Sequence, residues 1–252
     1  TDAGVGLHET QPYQVQIGTT TIGAELEGPE PTLDPTYTAT VPFIEGTEYF
    51  VQVRAQDALG NWSGWFFGSF FHDATNPTDP SSIGLTGSVV VGADNWTNDS
   101  TPELTWTDST DTQAMHATAP HRVKIGTASG ANDRLAVTGI GDNPYTAADL
   151  GWVTGTEYFF NVQGQDAAGN VSAFEEYKFK FDGAAPTFTD TPVTGIVGAG
   201  GYRYTNSTTP TINWTPASDV GSGLATGANE PYEIRIGTEY GLSNVGSGTS
   251  TT

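Results

Sequence analysis

The side chains of this sequence best suited to chemistry are carboxylates that stand at turns and between strands. The 252 residues include 29 Asp and Glu against eight Lys and Arg, a formal charge of -21. Ca2+ accepts about six to eight oxygen ligands in loose geometry, which suits carboxylates drawn from separate loops. An alternative is that these aspartates cap turns by accepting backbone hydrogen bonds. The candidate ligands are Asp57, Asp73, Asp108, Asp111, Asp166, Asp182 and Asp219.

Other chemistries lack the residues they need. The sequence has no Cys, which excludes disulfides, thiolate metal sites and a Cys nucleophile. Its four His show no metal-binding spacing, and no Gly-x-Ser-x-Gly, phosphate loop or His-Glu-x-x-His motif is present. The strongly acidic charge disfavours nucleic acid and anionic membranes as partners. The sequence contains no run of about 18 apolar residues, the length that a membrane-spanning helix needs. We therefore expect no enzyme activity, no nucleic-acid binding and no membrane insertion within this segment.

One sequence period runs through the whole chain. The stretch TEYFVQVRAQDALGNWSGW at 47–65 recurs as TEYFFNVQGQDAAGNVSAF at 156–174. Pro12, Pro120 and Pro231 each precede a similar strand, with offsets of 108 and 111 residues. Self-similarity at a fixed period indicates successive copies of one folding unit.

The phase of the repeat predicts three units. Residues 1–79 form a first unit that lacks its opening strands, 80–187 a complete second unit, and 188–252 a third unit that lacks its closing strands. A sandwich without its first two strands exposes its core and an unpaired edge. We expect the chain to continue at both ends. The alternative is that a neighbouring copy supplies the missing strands, which would make this a self-polymerising filament protein.

Apolar and polar residues alternate with a period of two, which is typical of strands with one buried face. Stretches such as ELTWT and EYKFKFD show it, and no stretch has helical periodicity. Clusters of Gly, Pro, Asn and Asp separate the strands, as turns require. Seven short antiparallel strands in about a hundred residues predict a sandwich of two sheets. In the second unit the predicted strands are 85–91, 102–107, 120–126, 134–138, 144–148, 156–165 and 174–181.

These features resemble a known family. The Trp of the second strand (Trp106 and Trp214), the Ile-Gly-Thr third strand and GTEYFFNVQGQDAAGN are similar to tandem bacterial immunoglobulin-like and fibronectin type III repeats. The resemblance implies an all-β fold of tandem immunoglobulin-like β-sandwich domains. It also implies that the hydroxyls of Tyr49 and Tyr158 tether the preceding corner, packed near Phe43 and Leu150. In this reading Gly60 and Gly169 supply the positive φ of the turn between the last two strands.

The repeated aspartates fall where such sandwiches join. Both linkers, FHDATNPTDP and FDGAAPTFTD, place a Pro four residues after an Asp. A linker enters at the same end of the sandwich as the loops after its second and sixth strands. Asp73 should therefore meet Asp166, Asp108 and Asp111, and Asp182 should meet Asp219. Some adhesin repeats of the resembled family bind Ca2+ at such joints, which implies Ca2+ as a cofactor that stiffens them.

Aromatic residues suggest a contact surface on the first unit. Aligned on Asp73 and Asp182, the first unit has Phe67 and Phe71 where the second has solvent-facing Glu176 and Lys180, with Phe66 beside them. Exposed apolar strips often mark contact surfaces. Either these three rings form an interface, or a register shift of one residue buries them.

The sequence therefore predicts a non-catalytic structural segment of an extracellular or cell-surface repeat protein, such as a stalk, adhesin spacer or filament element. Its partners would be neighbouring repeats or copies of the same protein, and surface glycans. The alternative is a set of accessory modules of a large secreted polysaccharide-degrading enzyme, with Trp62 and Trp65 stacking on sugar. The fold supports both, because it hosts many unrelated roles.

Overall fold

The computed structural model describes residues 4–21, 23–141, 143–225, 231–239 and 246–250. Within these ranges the chain forms seventeen β-strands and a 3₁₀ turn at Ala199–Gly201, and it contains no α-helix. None of the described segments is a helix of the length and apolarity needed to cross a bilayer. The all-β prediction is confirmed.

The first unit is one antiparallel sheet of four strands in the order β2-β1-β3-β4. Side chains of β3 alternate, so that Tyr49, Val51 and Val53 share one face while Gln52 lies buried on the other. Val15 and Ile17 of β1 join Tyr49 in a small apolar cluster. The strand bounds are β1 Tyr13–Gly18, β2 Glu27–Thr32, β3 Glu48–Ala55 and β4 Phe66–Phe71.

The second unit is a two-sheet sandwich. One sheet has the order β10-β9-β12-β13-β7-β6 and the other β11-β8-β5. This fibronectin type III-like arrangement is an immunoglobulin-like β-sandwich, as the sequence predicts. The strand bounds are β5 Ser81–Leu85, β6 Val89–Val91, β7 Asp94–Thr97, β8 Glu103–Thr107, β9 His121–Gly126, β10 Leu135–Ile140, β11 Tyr145–Thr146, β12 Glu157–Gly164 and β13 Glu175–Phe181.

Between its two sheets the second unit has a close-packed core. Val123 and Ile125 of β9 and Phe160 of β12 are fully buried, and Leu104 and Trp106 of β8 cover them from the opposite sheet. Fully burying a side chain of this size contributes about 1.5–3 kcal/mol. The alternation read from the sequence therefore selects the correct inward face of each of these strands.

The first predicted strand of the second unit, 85–91, is wrong in detail. The chain instead forms β5, turns at Gly87, and continues as the hairpin of β6 and β7. The turn lets the chain cross between sheets, because β5 pairs with β8 whereas β7 pairs in parallel with β13. Gly87 has φ 71 and Gly92 has φ 66, a backbone region in which glycine is favoured. The sequence pattern showed the apolar run but not the crossing.

The third unit has two small described sheets, the pair β14–β15 and the pair β16–β17. Isolated bridges join Thr187 to Ser218 and Val193 to Asn213, and the ring of Tyr232 lies 5.4 Å from that of Trp214. The strand bounds are β14 Ile196–Val197, β15 Arg203–Tyr204, β16 Tyr232–Ile236 and β17 Gly246–Ser250.

The tyrosine corners are present in both of the first two units. The Ile44 N–H donates to the hydroxyl of Tyr49 at 2.7 Å, and the Val153 N–H donates to Tyr158 at 2.8 Å. Phe43 packs on Tyr49 with ring centroids 4.6 Å apart, as predicted. The ring on Tyr158 belongs to Trp152, at 4.8 Å. These bonds fix the corner that precedes β3 in the first unit and β12 in the second, and so help to position the turns that follow these two strands.

Candidate site at the joint of the first two units

Three aspartates from separate segments meet where the linker enters the second unit. Asp73 follows β4, Asp111 lies in the loop after β8, and Asp166 follows β12. One carboxylate oxygen from each lies within 4.8 Å of the other two. The joint geometry that the sequence predicts for these three residues is therefore present.

Asp166 has two roles in the structure. Its Oδ1 accepts the N–H groups of Gly169 and Asn170, and its Oδ2 accepts the side-chain amide of Asn170 at 2.8 Å. Asp166 is fully buried and Gly169 has φ 100, as the turn interpretation predicts. The repeated Gly-Asn is thus a turn, and the same turn fixes a carboxylate at the joint.

Asp73 is the member of this group whose negative charge is disfavoured by its surroundings. Burial first, and then the negative charges of Asp111 and Asp166, raise the pKa of Asp73 above its ordinary value. Glu45 lies beside it, and the repeat gives no signal for this residue because the corresponding residue of the second unit is Thr154. The Glu45 carboxylate accepts the Ala74 N–H and the Thr75 hydroxyl, and these bonds lower the pKa of Glu45. Hydrogen bonds to Glu45 therefore hold the linker in place, although the carboxylate of Asp73 is repelled by those of Asp111 and Asp166.

The three aspartates fit a calcium ion by chemistry and by size. Ca2+ prefers carboxylate and carbonyl oxygens at about 2.3–2.6 Å, so two ligands of one ion can stand about 5 Å apart. The oxygens of Asp73, Asp111 and Asp166 lie within that span. A cation among them would relieve the repulsion that raises the pKa of Asp73.

Two of the predicted ligands lie elsewhere. Asp108 does not join the group, because its Oδ1 accepts the side-chain amide of Asn143 at 2.6 Å and lies 3.6 Å from Nε2 of His121. Asp57 is the counterpart of Asp166 in the first unit, and its carboxylate accepts the N–H groups of Leu59 and Asn61. It caps its turn, as the alternative interpretation expects.

At the second joint, a smaller group of carboxylates meets. Burial works to raise the pKa of Asp182, but hydrogen bonds from Ser222 and other groups hold it below its ordinary value. The Ser222 N–H and hydroxyl donate to Oδ2 of Asp182 at 2.7 and 2.8 Å. Asp219 lies beside Asp182, with Oδ1 accepting the N–H groups of Gly221 and Gly223. The predicted pairing of Asp182 with Asp219 is present, and it brings together two carboxylates rather than three.

The linker of the first joint is fastened to the second unit along its length. The Thr78 N–H donates to the Thr110 carbonyl at 2.9 Å, and the Ala173 N–H donates to Oδ1 of Asp79 at 2.8 Å. Pro77 and Pro80 are buried, whereas Pro186 of the second linker is exposed. The second linker is also hydrogen-bonded to the unit that follows it, through Asp182 to Ser222 and through Thr187 to Ser218, so the two joints differ in the burial of these prolines.

The three predicted interface rings are exposed, so the interpretation that buries them is wrong. Phe66, Phe67 and Phe71 are 72%, 66% and 59% exposed. Phe67 is paired with Gln52 and lies on the outer face of the sheet, as does Phe71, but Phe66 is paired with Val53 and lies on the apolar face. A paired residue shares the face of its partner, which places the rings on both sides of β4.

The two tryptophans proposed for sugar stacking enclose an arginine. The guanidinium of Arg54 lies 4.3 Å from the ring centroid of Trp62 and 4.4 Å from that of Trp65. Gln14 holds the same guanidinium by accepting two of its N–H groups. Such cation–π contacts stabilise the sheet surface and orient both rings.

No family model matches this sequence. Two curated proteins of Cellulomonas fimi are similar to it: endoglucanase B, 31% identical over 216 residues, and exoglucanase B, 26% identical over 205 residues. The matches cover 80% and 76% of this chain but 18% and 16% of those proteins. The chain therefore spans less than a fifth of the length of the curated relatives that it matches.

Among solved structures, the FN1–FN3 domains of chicken CNTN1 superpose with a TM-score of 0.42 at 14% identity. The superposition covers 68% of this chain and 57% of that one. The fold class rests on the strand order and on the tyrosine corners of the chain itself.

Proposed function

We propose that this chain is a non-catalytic segment of a larger extracellular, glucan-directed enzyme, in which it serves as a spacer of rigidly joined β-sandwich units. The observation that carries the proposal is the linker of 73–80, which is hydrogen-bonded and packed onto the second unit. A spacer needs such a joint, because a linker without contacts lets the units move as independent bodies.

The two curated relatives support the proposal that this chain is part of a larger glucan-directed enzyme. Both curated relatives are named as glucanases, and both are more than five times as long as the stretch that matches this chain. A segment that resembles a small part of two glucanases, and whose sequence has no catalytic motif, fits an accessory role. This supports the alternative of the sequence analysis over a free-standing stalk.

Calcium is the second part of the proposal. Asp73, Asp111 and Asp166 would hold Ca2+ between the linker and two loops of the second unit. The ion would neutralise the mutual repulsion of the three carboxylates and bind two units at once. Its effect would therefore be to stiffen the joint and to raise the stability of the second unit.

The test uses the whole chain in chelator and in millimolar Ca2+. We expect Ca2+ to raise the melting temperature, to reduce the spread of molecular dimensions measured by small-angle X-ray scattering, and to act at lower concentration than Mg2+. A narrow distribution of molecular dimensions that is the same in chelator and in Ca2+ would support the rigid spacer but contradict the proposed role of Ca2+. A broad distribution of molecular dimensions in both conditions would contradict the rigid spacer as well.

A surface stalk or adhesin spacer is the second candidate, because the period of the repeat covers the whole chain. Glycan contact through Trp62 and Trp65, whose half-buried rings lie against Arg54, would separate the candidates further. Sedimentation with insoluble β-glucan measures it directly. Retention that is lost in a Trp65→Ala variant would show that the chain holds polysaccharide as well as spacing other parts of the protein.

A further inference from the structure

The outer face of the first sheet, which is turned away from the apolar cluster of that unit, carries exposed aromatic rings. Phe67 pairs with Gln52 and Phe71 with Glu48, so both rings lie on this face. Ser69 stands between them on the same strand and is exposed as well. Phe67, Ser69 and Phe71 form a row along β4, here called the outer strip. Because a strand rises by about 3.4 Å per residue, the backbone positions of its two rings are about 14 Å apart.

Trp65 continues the outer strip beyond the start of β4. Its ring lies 4.4 Å from the guanidinium of Arg54. Arg54 follows Val53 in β3 and therefore belongs to the outer face, because successive side chains of a strand alternate between faces. Gln14 of β1 accepts two N–H groups of the same guanidinium. Arg54 and Gln14 thus hold the ring of Trp65 at one end of the outer strip.

The second unit shows that this face stays open when both sheets of the sandwich are present. Glu176, the counterpart of Phe67, is exposed, because β8 covers the opposite face of its sheet. The hairpin strand β7 pairs with β13 only at Lys180 and Phe181. A strand at the same edge of the first unit would therefore lie beside Phe71 and would leave Phe67 open. The position of Phe67 is a surface of the sandwich and not part of its core.

The two units differ in the charge of this face. On the three central strands of the second unit it has five charged residues without a charged counterpart in the first unit, namely Arg122, Lys124, Glu176, Lys178 and Lys180. The corresponding residues of the first unit are Gln14, Gln16, Phe67, Ser69 and Phe71. Glu48 and its counterpart Glu157 are common to both faces, and Arg54 is the charge that the first unit adds on β1, β3 and β4. The outer strip is therefore a nearly uncharged surface on a chain whose formal charge is -21.

We infer that the outer strip binds a neutral β-glucan chain that lies along β4. The apolar C–H faces of the sugar rings stack on Phe67, Phe71 and Trp65, and the Ser69 hydroxyl forms hydrogen bonds with sugar hydroxyl groups. A neutral polymer fits this surface because the strip itself has no charge to offer, while the acidic chain around it repels anionic polymers. The choice of glucan among neutral polymers rests on the proposed function, in which this chain is part of a glucan-directed enzyme.

The length of the outer strip favours a chain over a single sugar. Its two phenylalanines are about 14 Å apart along β4, which is longer than one sugar ring. Only a ligand of several linked sugars can therefore contact Phe67 and Phe71 together. We expect cellohexaose to bind more tightly than glucose.

The test uses the full chain, regenerated cellulose as an insoluble β-glucan, and cellohexaose in solution. We expect the chain to be retained on cellulose, and Phe67→Ala to weaken the binding of both ligands about tenfold, the change that about 1.4 kcal/mol of lost contact produces. Phe66→Ala is the matched control, because Phe66 is the neighbouring residue, is 72% exposed, and pairs with Val53 on the opposite face. It should leave the binding of both ligands unchanged.

Absence of binding to cellulose and to cellohexaose would overturn the inference. An equal loss in Phe66→Ala and Phe67→Ala would overturn it too, because it indicates non-specific adhesion of apolar rings. So would a mean mass that rises with concentration, falls in Phe67→Ala and is not accompanied by cellulose binding, since the strip would then meet a second copy of the chain. Small-angle scattering separates this inference from the proposed spacer. A narrow distribution of dimensions without glucan binding would leave the spacer in place, and a broad distribution with glucan binding would leave the outer strip.

Discussion

The carbonyl oxygen of Asp73 accepts a 3.1 Å hydrogen bond from the side-chain amide of Asn170, 97 residues further along the chain. The same amide donates to Oδ2 of Asp166 at 2.8 Å. One side chain therefore connects the linker of the first unit to the turn of the second. This explains how a repeated turn sequence, Gln-Asp-Ala-x-Gly-Asn, also becomes part of a joint.

Replacing Asn170 should loosen the joint. We expect Asn170→Ala to destabilise the second unit by about 1–3 kcal/mol, the usual cost of leaving a buried polar partner unsatisfied. Urea unfolding measures the free energy, and small-angle scattering should show a wider range of dimensions. Asn61→Ala is the matched control, because Asn61 donates to Asp57 but touches no linker among the described residues. If both variants widened the range of molecular dimensions equally, Asn170 would not have the proposed role in the joint.

Calcium dependence should distinguish two aspartates of one loop. Asp111→Asn removes a proposed ligand, whereas Asp108→Asn removes a carboxylate that faces Asn143 and His121. A ligand at a hundred times its dissociation constant stabilises the folded state by about 2.7 kcal/mol. We expect Asp111→Asn to lose most of the Ca2+-induced rise in melting temperature and Asp108→Asn to retain it. The reverse order would place the ion elsewhere.

The corner tyrosine of the second unit should contribute to stability through one hydrogen bond. Tyr158→Phe removes the acceptor for the Val153 N–H and keeps the buried ring. We expect a loss of about 1–2 kcal/mol in the free energy of unfolding, measured in urea. Tyr145→Phe is a suitable control, since the Tyr145 hydroxyl makes no hydrogen bond within the described residues. A similar loss in the control would show that the assay responds to ring polarity rather than to the corner bond.

His121 should make the second unit sensitive to acid. Burial lowers the pKa of His121, with the charge of Asp108 acting in the opposite direction. Its Nε2 accepts the Ser109 N–H at 3.3 Å, an arrangement that requires the neutral ring. A lowered folded-state pKa means that the unfolded chain binds the proton first, so stability falls as the pH drops below about 6.5.

The measurement is the free energy of unfolding at several pH values between about 7 and 5, where an ordinary His titrates. The difference between the natural chain and His121→Gln isolates the histidine, because the other groups that titrate are common to both. We expect the natural chain to lose more stability on acidification than the variant. Parallel curves would show that His121 does not control this acid sensitivity.

Much of the fold follows from local pattern. The two-residue alternation in β9 and β12 selects their inward faces, and the period of about 108 residues identifies equivalent positions such as Tyr49 and Tyr158. It also predicts that Asp73, Asp111 and Asp166 approach one another, because the end of the sandwich at which a loop lies depends only on strand order. For Phe67 the alternation left two registers open, and the structure selects the one in which the ring is exposed.

Other features needed the tertiary structure, because they depend on side-chain direction and on contacts between distant segments. Asp108 and Asp111 are three residues apart, yet Asp108 faces His121 while Asp111 faces the linker. Glu45 corresponds to Thr154 in the second unit, so the repeat gives no signal for a carboxylate at this position. The crossing of the chain at Gly87 likewise depends on which sheet has room for β7. Sequence by itself determined the strands, the period and the acidic ends of the sandwich, since these follow from local alternation and order. Only the folded chain decided which carboxylates share one space, because that is set by the direction of each side chain and by packing between segments that are far apart in the sequence.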